Sequence, residues 1–288
     1  MQNTRNLLVV IDPKHNDSPA LKRAKQIADQ TKAHLHLLIA DKNHDHLALL
    51  DLLKEGLVES GYSVSTECAW HGSEHETIIH AQQAHNCGLV IKQHLPENPI
   101  KALLLTPEDW KLLRACPCPV LIAKHSRPWE GGVVLAAVDV GNTEPEHRQL
   151  HESIVDSGFN IASLIKGELH VVSAFPPPML ATVDAVYPIV TDYEASYRAA
   201  CKEFQRTSDI SDSRLHIEQG PPDVIIPLLA HKLNAVVTVL GTVARTGLSG
   251  ALIGNTAESV IDAVETDVLV IKPQDRIQQL EADLNAKI

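Results

Sequence analysis

Between an apolar run, AVVTVL, and an apolar helical pattern, SVIDAV, lies the stretch GTVARTGLSGALIGNTAE, Gly241 to Glu258. A glycine-rich segment that leaves a buried strand and enters a helix brings backbone N–H groups and the positive helix end to where an anion can sit. The chemistry on offer is phosphate binding. Asn255 followed three residues later by Glu258 is an Asn-x-x-Glu capping arrangement, so the helix end should be well formed. Its N–H groups at Thr256 and Ala257 are then available to an anion, with Arg245 as a counter-charge. Gly247 and Gly250 keep the loop flexible. The same glycines also suit a plain connection between strand and helix, and the sequence alone leaves both readings open.

Other constellations point less firmly to chemistry. His34 and His36 lie two apart on an expected strand and share a face, with His44 and His46 on the next loop. That spacing suits metal ligands, although surface histidines without acidic partners at set spacing are the commoner case. His147 and His151 have the i, i+4 spacing of zinc sites but lack the Glu of a His-Glu-x-x-His motif. CPCP, Cys116 to Pro119, can hold a soft metal or merely feed a buried strand; with no second ligand pair visible, the strand reading is preferred. No GxSxG elbow and no P-loop lysine is present, so catalysis is the weaker hypothesis.

Composition narrows the partners. The chain has 288 residues, a formal net charge of -11 and only 3% aromatics. Cut after Glu130, it carries 14 basic and 15 acidic residues before the cut, and 11 and 21 after it. Such a chain repels a phosphate backbone and lacks stacking platforms, so nucleic acid is not expected as a partner. Eleven of the 16 histidines lie in the first part, which should turn basic on mild acidification. Five cysteines without CxxC spacing argue against a disulfide framework. With no long apolar run and no secretory pattern at its start, the protein is expected in the cytoplasm, without a membrane span.

The elements that must position these residues recur. Strand-like runs at 7–12, 34–40, 62–70, 89–93 and 119–124 alternate with helical patterns at 21–30, 46–61 and 76–84. The order repeats with strands at 132–141, 168–175, 214–220, 235–241 and 267–272, and helices near 149–165, 194–205 and 224–233. Short unbroken apolar strands alternating with helices predict a parallel sheet covered on both faces. Both first strands end in Asp, at Asp12 and Asp139, and both last strands end in Lys, at Lys124 and Lys272. Two similar α/β domains in tandem follow, each with a five-stranded parallel sheet, and the last strands can pair edge to edge. SRPWEGG, 126–132, reads as the linker. The Pro-rich excursion 174–190 is long for a loop and suits a lid, and the last 15 residues suit a short docked helix.

VLAAVDVG opening the second half, and VVTVLGT with IGNTAESVIDAVETDVLVIKP closing it, resemble the universal stress protein family. The tandem layout with GTVARTG and GNTAE resembles its E type. The resemblance implies two Rossmann-like domains of the adenine nucleotide alpha hydrolase kind. It divides the chain into 1–127, 128–273 and a C-terminal helix 274–288. It also implies a non-catalytic ligand-binding or scaffold role in stress survival, including resistance to DNA damage. Some members bind ATP through G-x2-G-x9-G-(S/T), which falls here on Gly241, Ala244, Gly254 and Asn255. Ala244 puts a methyl where relatives keep bare backbone, a cost of about 1 kcal/mol if a left-handed conformation is needed. The expected nucleotide-binding set is Asp139, Val172, Gly241, Ala244, Arg245, Gly254, Asn255, Thr256 and Ala257, with ATP or AMP bound weakly. In the first half the same positions carry Gln93, Pro96, Thr106 and Pro107, which no triphosphate suits; Lys92, His94 and Lys101 offer charge to some other anion, but a solvated loop is the preferred reading. The alternatives are an apolar or amphipathic metabolite and slow ATP hydrolysis. The two domains should form an internal pseudo-dimer, and a homodimer is a further option.

Overall fold

The computed structural model describes residues 5–15, 18–43, 45–94, 105–141, 145–175, 190–242 and 255–286, without the side chains of 145, 146, 190–194, 196, 255 and 285. In the first half, β1 (Asn6–Val10), β2 (His34–Ala40), β3 (Val64–Ala69), β4 (Leu89–Gln93) and β5 (Val120–Ala123) alternate with α1 (Pro19–Thr31), α2 (Leu47–Glu59), α3 (Glu74–Ala84) and α4 (Pro107–Ala115). The second half repeats this with β6 (Val133–Ala137), β7 (Glu168–Phe175), β8 (Leu215–Gln219), β9 (Ala235–Gly241) and β10 (Asp267–Ile271). Its helices are α5 (Pro145–Leu164), α6 (Val190–Ser208), α7 (Pro222–Lys232) and α8 (Asn255–Ala263), and α9 (Gln274–Asn285) closes the chain.

The strand order is β3-β2-β1-β4-β5-β10-β9-β6-β7-β8. Each half is therefore a five-stranded parallel sheet of the same topology. The last strands meet antiparallel, with Leu121 opposite Leu269, so the two sheets run on as one ten-stranded sheet instead of remaining separate. Pairing covers two edges that would otherwise present open backbone groups.

Apolar helix stripes cover both faces. Ile27, Leu50, Ile154, Tyr197 and Trp129 lie in one core, and Ile78, Leu112, Leu229 and Ile261 in the other. Helix α4 lies outside the expected helices. Its signal sits in the cap and not in an apolar run: Thr106 accepts from Asp109 N while Asp109 accepts from Thr106 N, and Pro107 opens the helix.

The segment that connects the halves is anchored at one point. Trp129 is wholly buried, and its indole N–H donates to Asp267 at 2.8 Å. Arg23, from α1, donates to the same carboxylate at 2.6 Å and to the carbonyls of His125 and Arg127. Its guanidinium lies 4.5 Å from the Trp129 ring centre. Segment 126–132 is largely exposed, and Trp129 alone within it is buried, anchoring the connection to both halves. A second tie comes from Lys124, whose ammonium donates to the carbonyls of Ile261 and Val264 at the end of α8.

Candidate functional site

In this strand order the first strand of each half lies between the second and the fourth, and the connections leave on opposite faces. Such switch points open a crevice at the carboxyl ends of the strands, where ligands of open α/β sheets settle. One lies between β1 and β4, the other between β6 and β9.

The first crevice is occupied by the protein's own charges. Lys92, at the end of β4, donates to Asp109 at 2.7 Å and lies 3.4 Å from Glu74. Asp109 is 1% exposed; its other oxygen accepts from the backbone N–H and hydroxyl of Thr106, and His94 stands 3.5 Å away. Burial alone would raise the Asp109 carboxyl, but His94, Lys92 and Thr106 together hold it well below the usual carboxylate range. Lys92 is thus neither free for an outside anion nor part of a solvated loop, the preferred expectation: it is buried and committed to an internal carboxylate. The first turn of α4 adds Glu108, and Pro107 has no N–H to offer. Lys101 and Pro96 lie outside the described residues.

The second crevice is differently furnished. Asp139 is exposed just beyond β6. Its neighbours are fixed by a small polar network: Val140 N donates to Ser173 Oγ at 3.1 Å, Ser173 donates to Val138 O at 2.9 Å, and Tyr197 of α6 bonds the Ser173 hydroxyl. Gly141 presses on the Tyr197 ring, since a Cβ there would fall 2.5 Å from it. Ser173, Tyr197 and Gly141 thus position Asp139, and the sequence reading missed all three. Only the Gly of VDVG was a visible signal.

Val172 is 1% exposed and packs in the core, so only its main chain faces the crevice end of the sheet. Gly241 ends β9, and a Cβ there would meet Leu150 and Ile154 of α5 at 2.7 and 2.9 Å. Its bareness therefore serves helix packing in addition to any role toward a ligand. Ala244, Arg245 and Gly254 lie outside the described residues, as do Gly247, Gly250 and the side chain of Asn255. So does most of the Pro-rich excursion.

Helix α8 starts at Asn255, the position that corresponds to Pro107 of α4, so Ala257 takes the place of Asp109. Thr256 is exposed and Ala257 half-buried. The acidic residue of this turn, Glu258, reaches across to Arg114 of α4 at 2.7 Å, which draws its charge away from the helix end.

The remaining candidates are placed as follows. His46 bonds Asp41 at 2.7 Å, and His44 lies outside the described residues. His151 is buried, with its ring edge-on to Phe204, and His147 lies beside it. Cys116 and Cys118 are buried with their sulfurs 3.6 Å apart. His34 and His36 do share a face of β2, and acidic and hydroxyl partners come from β3. No described helix is long and apolar enough to cross a membrane.

The model of the universal stress protein family matches residues 3–124 and 133–272. The chain is 35% identical to universal stress protein E of Salmonella typhi over 97% of its length and 98% of that protein. It is 34% identical to universal stress protein E of Escherichia coli K12, covering 97% of each. A solved structure from Pseudomonas aeruginosa PAO1 aligns with a TM-score of 0.91 at 56% identity, covering 100% of this chain and 99% of that one. Matched twice by one family model and along nearly its whole length by tandem relatives, the chain belongs to the universal stress protein family.

Proposed function

We propose that this chain is a non-catalytic ligand-binding protein of the stress response, and that it holds an adenine nucleotide weakly in its second half alone. The observation that supports this is the contrast between the two crevices. In the first, Lys92 and the carboxylates of Asp109 and Glu74 fill the position where phosphates would lie. In the second, Ala257 replaces Asp109 and Arg114 engages Glu258, so the α8 N-terminus faces less negative charge. In this reading phosphates lie over the N–H groups of Asn255, Thr256 and Ala257, Arg245 supplies counter-charge, and the nucleoside lies near Asp139 and the main chain of Val172. The working division is 1–127, 128–273 and 274–288, which the match at 3–124 and 133–272 supports.

Calorimetric titration with ATP tests this. Ala244→Gly should tighten binding by up to about tenfold, equivalent to ~1.4 kcal/mol, because the loop then reaches left-handed backbone without a methyl in the way. Gly254→Val should abolish it. Unchanged affinity in both variants would mean that the loop is a connector. Incubation of the native protein with ATP should leave the nucleotide intact; sustained release of phosphate would favour slow hydrolysis instead.

A further inference from the structure

The geometry points to a zinc site at the edge of the first half, built from His36, Glu67 and His85. Parallel pairing of β2 with β3 sets His36 opposite Ser65 and Leu38 opposite Glu67, so His36 and Glu67 emerge side by side on one face. His85 caps the C-terminal end of α3, where Asn86 turns the chain back in a left-handed conformation at φ 48°. Its ring lies over that of His36, with centres 3.6 Å apart and planes inclined by 26°. Both imidazoles turn Nε2 to the same carboxylate oxygen: His36 Nε2 and His85 Nε2 each lie 3.1 Å from Glu67 Oε2. Among the described residues this is the one trio of His, Cys, Asp and Glu donors that converges within 4.8 Å.

These separations are hydrogen-bond distances that also lie close to the spacing of donor atoms around a metal. With bonds of 2.0–2.2 Å at tetrahedral angles, neighbouring donor atoms stand about 3.4 Å apart. The present distances fall a few tenths of an ångström short of that, so small side-chain movements admit the ion. Two imidazoles and a carboxylate are a set that zinc accepts, with the fourth position left to water. Glu67 and His85 are partly exposed, at 26% and 41% of their side chains, which gives an ion a route in.

Supporting contacts orient the ligands as metal sites require. His36 Nδ1 lies 2.7 Å from Ser65 Oγ, which in turn lies 2.7 Å from His34 Nε2. A hydroxyl both donates and accepts, so Ser65 can take the Nδ1 proton of His36 as a hydrogen bond and leave Nε2 unprotonated toward the ion. Asn6 Nδ2 donates to the carbonyl of His85 at 2.8 Å and fixes that residue's backbone. The end of α3 also carries the partial negative charge that favours a cation.

The second half supplies an internal control. Strand pairing sets Asn6 opposite His34 in one half and Val133 opposite Glu168 in the other, which matches His36 to His170. By the same registers His216 takes the place of Glu67. Asn234, at φ 49°, repeats the turn of Asn86, but the residue before it is Leu233 and not histidine. His170 and His216 bond each other there at 2.9 Å, and although Glu168 lies 3.7 Å from His170, no three donors converge there among the described residues.

The test uses the untagged full-length protein, stripped of metal with a chelator and dialysed against zinc. One equivalent of zinc per chain is expected, and cobalt should give the intense visible absorption of a four-coordinate ion. His85→Leu copies the residue of the second half, and Glu67→Gln keeps the shape of the side chain. Both positions are partly exposed, so both variants should keep the native circular dichroism while losing at least tenfold in zinc affinity. Absence of stoichiometric zinc in the native protein would overturn the assignment, as would zinc affinity unchanged from the native protein in both variants. Zinc lost in Cys116→Ser but retained in His85→Leu would place the ion on the thiols and overturn it equally.

Discussion

Gly241 illustrates how one residue answers to two demands. Its position after a buried strand fits the phosphate pattern, yet the contact that forbids a side chain comes from Leu150 and Ile154, about 90 residues earlier on α5. Gly241→Ala should therefore destabilise the ligand-free protein by about 1–3 kcal/mol, read from the midpoint of urea unfolding, through overpacking. An unchanged midpoint would return the glycine to a purely ligand-facing role. His151 gives a second residue-scale outcome. Burial, and then the charge of His147, lower its pKa from 6.5 to about 4. The unfolded chain consequently binds more protons between those values, so this contribution is complete above about pH 6.5 and is lost as pH falls toward 4. His151→Leu should flatten that part of the stability profile by on the order of 2–3 kcal/mol, measured by urea titrations at several pH values. The i, i+4 spacing of His147 and His151 was legible in the sequence. Whether the ring would be buried was not, because that depends on Phe204 from another helix.

At the scale of elements, β2, β4, β7 and β9 keep the bounds that their sequence runs suggest, because the central residues of each are apolar and buried. Helix α4 escaped because TPEDW announces itself by its cap, and its apolar residues Leu112 and Leu113 are few. That cap also organises the first crevice. Thr106→Ala removes the hydroxyl that Asp109 N and Asp109 Oδ2 both use, and should cost about 1–2 kcal/mol of stability in thermal or urea unfolding. The lysines that end β5 and β10 were legible as a repeat, but their different surroundings were not. Lys124 caps α8 through two carbonyls, whereas Lys272 lies buried beside Cys116 and Cys118 with no hydrogen-bond partner for its ammonium among the described residues. A repeat in sequence specifies equivalent positions, and the contacts between the halves then make those positions unequal.

Over the whole molecule, the tandem layout and the parallel halves were readable from strand order, but two separate sheets were expected where β5 and β10 join the halves into one, and the clasp of Arg23, Trp129 and Asp267 was hidden in the connecting segment. Asp267→Asn leaves the Arg23 charge buried without its counter-ion and should cost about 3–5 kcal/mol. Because the clasp and the β5–β10 pairing join the halves, tryptophan fluorescence and far-ultraviolet circular dichroism should report one common unfolding transition; two separated transitions would show that the halves melt independently. The same asymmetry between joined halves underlies the functional reading, in which one crevice is filled from within and the other is left for a nucleotide. Hydrogen–deuterium exchange of the full chain, with and without ATP, compares both crevices in one experiment. Slowed exchange should appear in peptides spanning 138–141 and 241–264, with none at 92–110. Protection in the first half, or no change in either half, would contradict the account.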